Sequence, residues 1–361
     1  MALSRANHIR AVFFLHAISS GGIYSRVADI QHRLGADEQT LGLGFLGFPI
    51  GAILILFFGS RLVEVFGPKR IVSICLPLLP LGMIAVVAMP TVPLFFATFL
   101  LYGVIYALPN TAMNIEADRV EAATGQRVMN SCHGIWSIGQ LLATLLGTLA
   151  EGAHLTPVVH MALLAIPLVP LALWIAFGLE PSPPRPHRST VVRRLALPSL
   201  AVMVLVCFAL GPTLLEGALR NWSVIYMRDS FAAPGWVDTL TLPVFLSAHA
   251  LGRLSADRLV TRFGVVLAPT LWVALAAFLL VGVGVCTSYP LTASAAARLG
   301  DRPSSENVAS LSFATQTILL GAPALLGWVA TNWGIRNAFA VLLPAVLLSI
   351  MLARYLAPRH A

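Results

Sequence analysis

Charged side chains are scarce in this sequence. Asp, Glu, Lys and Arg make up 11% of its 361 residues, against about a quarter in an average soluble domain. That scarcity argues against an ordinary cytosolic enzyme. Acids are the rarer sign, 15 against 23 Lys and Arg, for a formal charge of +8. Cysteine is confined to Cys75, Cys132, Cys207 and Cys286, each inside an apolar run and without CxxC or Cys/His spacing. Neither a disulfide framework nor a metal site is expected from them. No HExxH, GxSxG or GxxxxGK[ST] pattern occurs, so no motif marks an enzyme and no cofactor is expected. What is abundant is apolar surface: 58% of residues are hydrophobic and the mean hydropathy is +0.84, which excludes disorder.

The apolar residues fall in long uncharged windows. These run over Gln39–Ser60, Ile71–Ile115, Val128–Ala150, Gly152–Leu179, Leu195–Leu215, Phe263–Ala297 and Asn307–Ile335. A helix rising about 1.5 Å per residue needs roughly 20 residues to cross a hydrocarbon core of about 30 Å. Most windows hold one span. Ile71–Ile115 holds two, broken at Met89-Pro90-Thr91-Val92-Pro93. Porin-type barrels read as alternating segments of about ten residues, a pattern missing here. The sequence predicts an all-α polytopic membrane protein. Its first apolar stretch runs to Arg26 without a convincing cleavage site and is read as a membrane helix, not a signal peptide.

Spans are expected near 10–30, 39–61, 71–88, 94–115, 128–150 and 157–178, and again near 197–226, 237–256, 265–280, 282–298, 307–330 and 338–356. This gives two pseudo-symmetric six-helix bundles: an N-terminal bundle over 1–179 and a C-terminal bundle over 195–361. Between them lies a basic, proline-rich linker over 180–194, Glu180 to Arg194. With the N-terminus inside, all Lys and Arg but Arg26, Arg33, Arg220, Arg228 and Arg336 fall on the cytoplasmic side. That bias predicts twelve spans, both termini cytoplasmic, in the cell inner membrane. Because the positive charge is spread over loops on one side of a bilayer, nucleic acid is not an expected partner. The stretch Phe263–Ala297 is short for two spans, so it reads as a shortened or re-entrant hairpin, or as one helix in a total of eleven. The hairpin is the favoured reading.

An internal repeat supports the two-half plan. Arg61-Leu62-Val63-Glu64-Val65-Phe66-Gly67 follows the second span, and Arg258-Leu259-Val260-Thr261-Arg262-Phe263-Gly264 the eighth. Parallel repeats of six helices with a site between them are a known transporter plan.

On these features the sequence resembles the major facilitator superfamily of secondary transporters. The family's loop between helices two and three, G-x-L-x-D-x-x-G-x-K/R-K/R, is matched by Leu62, Gly67, Lys69 and Arg70, with Glu64 at the acidic place and Ser60 at the first glycine. More narrowly, it is similar to the MosC-like and sugar-permease-like branch related to fucose permease. The segments that carry this are Ala112-Met113-Asn114, Cys132-His133-Gly134-Ile135-Trp136-Ser137-Ile138-Gly139, Glu216-Gly217-Ala218, Trp222-Ser223, Tyr226-Met227-Arg228-Asp229, Tyr289-Pro290 and Gly321-Ala322-Pro323. The resemblance implies a solute carrier working by alternating access. It also implies that the first helices of the two halves face each other.

Polar side chains within spans are costly and tend to face a cavity or a partner. His133, Trp136, Ser137, Gln140 and Thr144 share one face of the fifth span, as a wet wall or as interhelical hydrogen bonds. Asn110 and Asn114 lie four apart on the fourth span, with Tyr102 and Tyr106 before them. Amides and aromatic faces suit hydroxyl-rich solutes. Trp222, Tyr226 and Gln316 are the candidates from the second half. Glu216 and Arg220 lie four apart on the seventh span and can form an intrahelical pair. Both Glu216 and Arg26 fall in the outer third of their spans, so an Arg26–Glu216 pair, or Arg26 with the Glu216/Arg220 cluster, is expected to close an outer gate. Glu216 is the first candidate for proton coupling. His16, His133 and His249 are each read as a structural or a titrating group. Glu116 and Asp118 read as solvated near the inner end. Glu64, Gly67, Lys69 and Arg70 form the expected inner-gate loop.

The sequence therefore predicts a monomeric, proton-coupled secondary transporter of a small, neutral polar solute such as a sugar, polyol or aminated inositol, held near the midplane. A drug or metabolite exporter of the same fold and a degenerate non-transporting carrier remain as alternatives.

Overall fold

The computed structural model describes residues 3–126, 128–181, 199–231, 233–248 and 304–352, with single positions at 281, 292, 295, 296 and 299. The expected hairpin over 265–298, nearly all of the linker, His249 and Tyr289-Pro290 lie outside the described residues. The described secondary structure is helical. It comprises α1 (Arg5–Gly21), α2 (Val27–Leu34), α3 (Glu38–Phe45), α4 (Gly47–Phe66), α5 (Pro68–Ala88), α6 (Val92–Thr124), α7 (Met129–Gly152), α8 (Pro157–Gly178), α9 (Leu200–Ser230), α10 (Gly235–Thr239), α11 (Ser304–Trp333), α12 (Ile335–Ala340) and α13 (Leu343–Leu352). Residues 241–248 are also helical. Seven of the described helical segments are long and apolar enough to cross a membrane.

Local chemistry sets the boundaries. Ser4, Asp37, Thr156 and Ser199 cap α1, α3, α8 and α9 by accepting from a backbone N–H three residues on. Pro68, Pro93 and Pro157 sit in the first turns of α5, α6 and α8, where no N–H is needed. The break expected at Met89–Pro93 is present, with α5 ending at Ala88 and α6 starting at Val92. Gly67 turns the chain between α4 and α5 at φ 79°, a conformation that favours glycine.

Two expected spans of the first half are interrupted. The first stops at Gly21 and passes through a 3₁₀ turn over Gly22–Arg26 before α2. Consecutive glycines weaken the helix there, and Arg26 takes partners outside it. The second divides between Phe45 and Gly47.

Small residues let the helices approach closely. A Cβ on Gly47 or Gly51 of α4 would collide with the α6 backbone, and one on Gly103 of α6 with the carbonyl of Phe48. Gly139 of α7 sits in the same way against Ala17 and the Phe14 carbonyl of α1. The opposite surface is apolar, with Ile74, Leu101, Ile166, Trp174 and Phe177 all exposed, as a lipid-facing exterior requires.

The chain runs back and forth between two ends. One carries the start of α1, the α4–α5 turn and Glu180, which pairs with Arg5. The other carries the α2–α3 loop, the α7–α8 loop and the start of α10. At this second end the first and second halves of the chain meet. The Gln39 N–H donates to Thr331 Oγ1 at 2.9 Å, and Thr331 donates to Glu38. Thr239 donates to Thr148 at 2.9 Å. A Cβ on Gly42 would stand 2.6 Å from the Pro323 carbonyl, and one on Gly327 would strike that of Glu38.

Candidate functional site

Part way along α1, at the junction of both halves, is a cavity enclosing about 310 Å³ of space not filled by atoms, part of it open to solvent. Phe48, Phe99, Tyr102, Tyr106, Trp136 and Tyr24 give it an aromatic lining, and Ser20, Gln140 and Arg220 a polar one.

The aromatic wall is a chain of packed rings on α4 and α6. Phe48 lies 5.2 Å from Phe99 and 5.1 Å from Tyr106, and Phe99 stacks on Tyr102 at 6.2 Å. Opposite, Trp136 and Gln140 project from α7 one turn apart. Each is fixed by α1. Trp136 Nε1 donates to His16 Nδ1 at 3.4 Å, and the other ring nitrogen of His16 lies 3.0 Å from the Tyr106 carbonyl. With Nδ1 accepting, Nε2 carries the proton and donates, so both nitrogens of a neutral imidazole are used. Gln140 Nε2 donates to the Ala17 carbonyl at 3.1 Å and to Ser20 Oγ at 3.2 Å.

The second half contributes Arg220 from α9. Its Nε and Nη2 donate to Glu216 Oε1 at 3.3 and 2.9 Å, and Nη1 reaches Gln140 Oε1 at 3.5 Å. The guanidinium lies 5.8 Å from the Tyr24 ring centre, within cation–π range. This is the point where side chains of the two halves meet inside the cavity.

The sequence-derived candidates divide. Trp136, Gln140 and Arg220 line the cavity, as do Tyr102 and Tyr106. Asn110, Asn114, His133, Trp222, Tyr226, Gln316 and Glu216 are not among its lining residues. Asn114 Nδ2 turns back to the Asn110 carbonyl at 2.8 Å, and His133 packs edge-on against Phe13. Trp222 is fully buried against Phe45 of α3, sealing the meeting of the halves. Tyr226 packs on Phe231 and Phe339. Gln316 is exposed on α11. Ser137 and Thr144 bond backward to helix carbonyls instead of facing the cavity. Glu116, read from sequence as solvated, is fully buried.

The pairing expected of Arg26 is also different. Arg26 salt-bridges Asp29 at 3.0 Å and Glu151 at 2.5 Å and donates to the Leu155 carbonyl at 2.6 Å. All three partners belong to the first half. The 3₁₀ turn aims the side chain sideways into α7 and the α7–α8 loop, leaving Glu216 to Arg220. Among the described residues Glu64, Lys69 and Arg70 make no ion pair, so the expected inner latch is not formed here.

Tyr24, Ser20, Phe48, Phe99, Met83 and Ile23 were missed in the sequence. The signal for the first two was the Ser19-Ser20-Gly21-Gly22 run, where small residues admit Gln140 against α1: a Cβ on Gly21 would stand 2.9 Å from Gln140 Oε1. The others are apolar residues in apolar helices and carry no such mark.

Comparison with known proteins agrees with this architecture. The model of the Major Facilitator Superfamily matches residues 11–268. The chain is 29% identical over 353 residues to an uncharacterized transporter, y4wD, of Sinorhizobium fredii, covering 92% of this chain and 93% of that protein. It is 22% identical to the membrane protein MosC of Rhizobium meliloti, over 90% and 84% of the two chains. Among solved structures, a mutant of the nucleoside transporter NupG superposes with a TM-score of 0.74 at 15% identity, covering 98% and 99%. A D-xylose-proton symporter superposes with a TM-score of 0.69 at 12% identity, covering 97% and 96%. At these identities the structural likeness establishes the fold alone.

Proposed function

Since the chain belongs to the major facilitator superfamily, a family of membrane transporters, we propose that it moves a small polar solute by alternating access between two six-helix halves, 1–179 and 195–361, joined by the 180–194 linker. The observation that carries this is the cavity itself: first-half residues Trp136 and Gln140 and second-half residue Arg220 share one small, partly enclosed space. A solute bound there touches both halves, so its release depends on their relative movement.

Sidedness follows from charge. The positive-inside bias of the loops supports cytoplasmic termini in the inner membrane. The end sealed by Gly42–Pro323, Gln39–Thr331 and Thr148–Thr239 is then the outer one. The Glu64–Arg70 loop, unlatched among the described residues, faces the cytoplasm. The conformation is an outward-closed one, with Arg26 stiffening the outer end of the first half.

Proton coupling is assigned to Glu216, which shares a guanidinium with the cavity. Its carboxylate is paired with Arg220 at 2.9 Å, and opening or filling the cavity disturbs that pair. The test is proton movement in sealed proteoliposomes on addition of sugars, inositols and amino-polyols, then amphipathic cations. A protein-dependent pH change with a hydroxylated solute, lost in Glu216→Gln, is expected. A change with amphipathic cations alone would make the protein an exporter of the same fold. Solute binding without flux would make it a non-transporting carrier.

A further inference from the structure

The polar groups of the cavity are unbalanced. Among the described residues, Arg220 is the lining residue that carries a formal charge, and no carboxylate lines the space. A guanidinium offers five N–H donors. Two go to Glu216, one reaches Gln140 at 3.5 Å, and two take no partner among the described residues. The Tyr102 hydroxyl, on a side chain 2% exposed, has no partner among the described residues. Of the lining side chains that can accept, Gln140 Oε1 already accepts from Arg220 and Ser20 Oγ from Gln140, while the tyrosine hydroxyls can donate as well as accept. The cavity thus presents spare donors and one cation, set in aromatic rings.

We propose that the solute carries a carboxylate that seats on the spare N–H donors of Arg220, with a flat or cyclic body against the Phe48–Phe99–Tyr102–Tyr106 wall. This rests on the cavity being the solute site, and it replaces the neutral solute expected from sequence. Two parallel N–H···O bonds to a carboxylate are the strongest recognition a guanidinium offers. The Tyr102 hydroxyl supplies a further donor, and the rings supply apolar area for the body. Glu216 is then a competitor: it and the solute anion draw on the same guanidinium.

The test uses matched pairs that differ in the anion alone, benzoate with benzyl alcohol and glucuronate with glucose, titrated calorimetrically into the purified protein at neutral pH. The carboxylate of at least one pair is expected to bind about tenfold or more tighter than its neutral partner. Arg220→Gln is expected to erase the difference. Glu216→Gln is expected to tighten carboxylate binding, because it frees Arg220 without removing it, and it keeps the test decisive should Arg220→Gln fail to fold. Equal binding within both pairs, or weaker carboxylate binding in Glu216→Gln, overturns the anion proposal and leaves the cavity as the site. Binding that persists unchanged in Trp136→Ala and Tyr24→Ala lies elsewhere and overturns the cavity reading as well. Binding of neither member of either pair overturns both.

Discussion

Replacing Arg26 with methionine tests the outer end of the first half. The guanidinium is 2% exposed and is held by Asp29, Glu151 and the Leu155 carbonyl. Methionine keeps much of the aliphatic stem and leaves two carboxylates and a carbonyl without their cation. Breaking a buried ion pair from one side costs about 3–5 kcal/mol. Asp29 and Glu151 are 34% and 23% exposed, so water takes over part of their solvation. The expected cost is therefore at the lower end, about 3 kcal/mol. Denaturant unfolding in detergent, followed by helical circular dichroism, reads it. The informative measurement is a pair of double-mutant cycles. Arg26→Met with Glu151→Leu should cost less than the sum of the single changes by about 1.5 kcal/mol or more, since they share one contact. Arg26→Met with Glu216→Gln should be additive within about 0.5 kcal/mol. Coupling to Glu216 and none to Glu151 would refute the geometry and restore the pairing expected from sequence.

Further outcomes follow from the same contacts. Gly42→Leu places a side chain on the Pro323 carbonyl, where a Cβ alone stands at 2.6 Å, so the outer seam should fail to close; cysteines introduced at Gln39 and Thr331 should then cross-link poorly, and unchanged cross-linking would refute it. Gly51→Val should destabilise the α4–α6 pair by about 1–3 kcal/mol through overpacking, read by denaturant unfolding. Trp136→Phe keeps an aromatic ring but loses the bond to His16, so solute affinity should fall, and leaving the buried His16 Nδ1 without a donor should cost about 1–3 kcal/mol in denaturant unfolding. Asp37 is held below the ordinary aspartate range (about 3.9) by hydrogen bonds from the Thr40 side chain and N–H. Its stabilising share is present above that ordinary value and is lost as pH falls through the lower folded one. Asp37→Ala should remove about 1 kcal/mol of capping at neutral pH and flatten the acid limb of the stability profile.

Much of the architecture was legible because membrane helices advertise themselves. The uncharged windows fix α5 and α8 closely and the starts of α6 and α9, which run on past them to Thr124 and Ser230, and Met89–Pro93 marks the break between α5 and α6. What periodicity conceals is direction. His133, Ser137, Thr144 and Gln140 share a face by spacing, yet only Gln140 lines the cavity, since hydroxyls bond readily to their own helix carbonyls. Arg26 was legible as a buried charge, but not its partners. Depth along the helix points to Glu216, whereas the 3₁₀ turn, invisible to a count of 1.5 Å per residue, aims Arg26 at Glu151. Trp222 reads in the sequence as a solute platform, and in the structure it is buried edge-on against Phe45 outside the cavity lining, because tryptophan at a span interior reads the same in both settings.

The seam at the second end has a consequence for ionic strength. Its described contacts set glycine against carbonyl and hydroxyl against hydroxyl, with one carboxylate accepting from Thr331. The ion pairs of Arg26, Arg220 and Arg228 each lie within one half of the chain. Salt screens attraction between exposed opposite charges and leaves van der Waals fit and neutral hydrogen bonds almost untouched. On the proposed sidedness, the balance between open and closed outer ends should therefore stay level from dilute buffer to concentrated brine, with shape rather than charge holding the door.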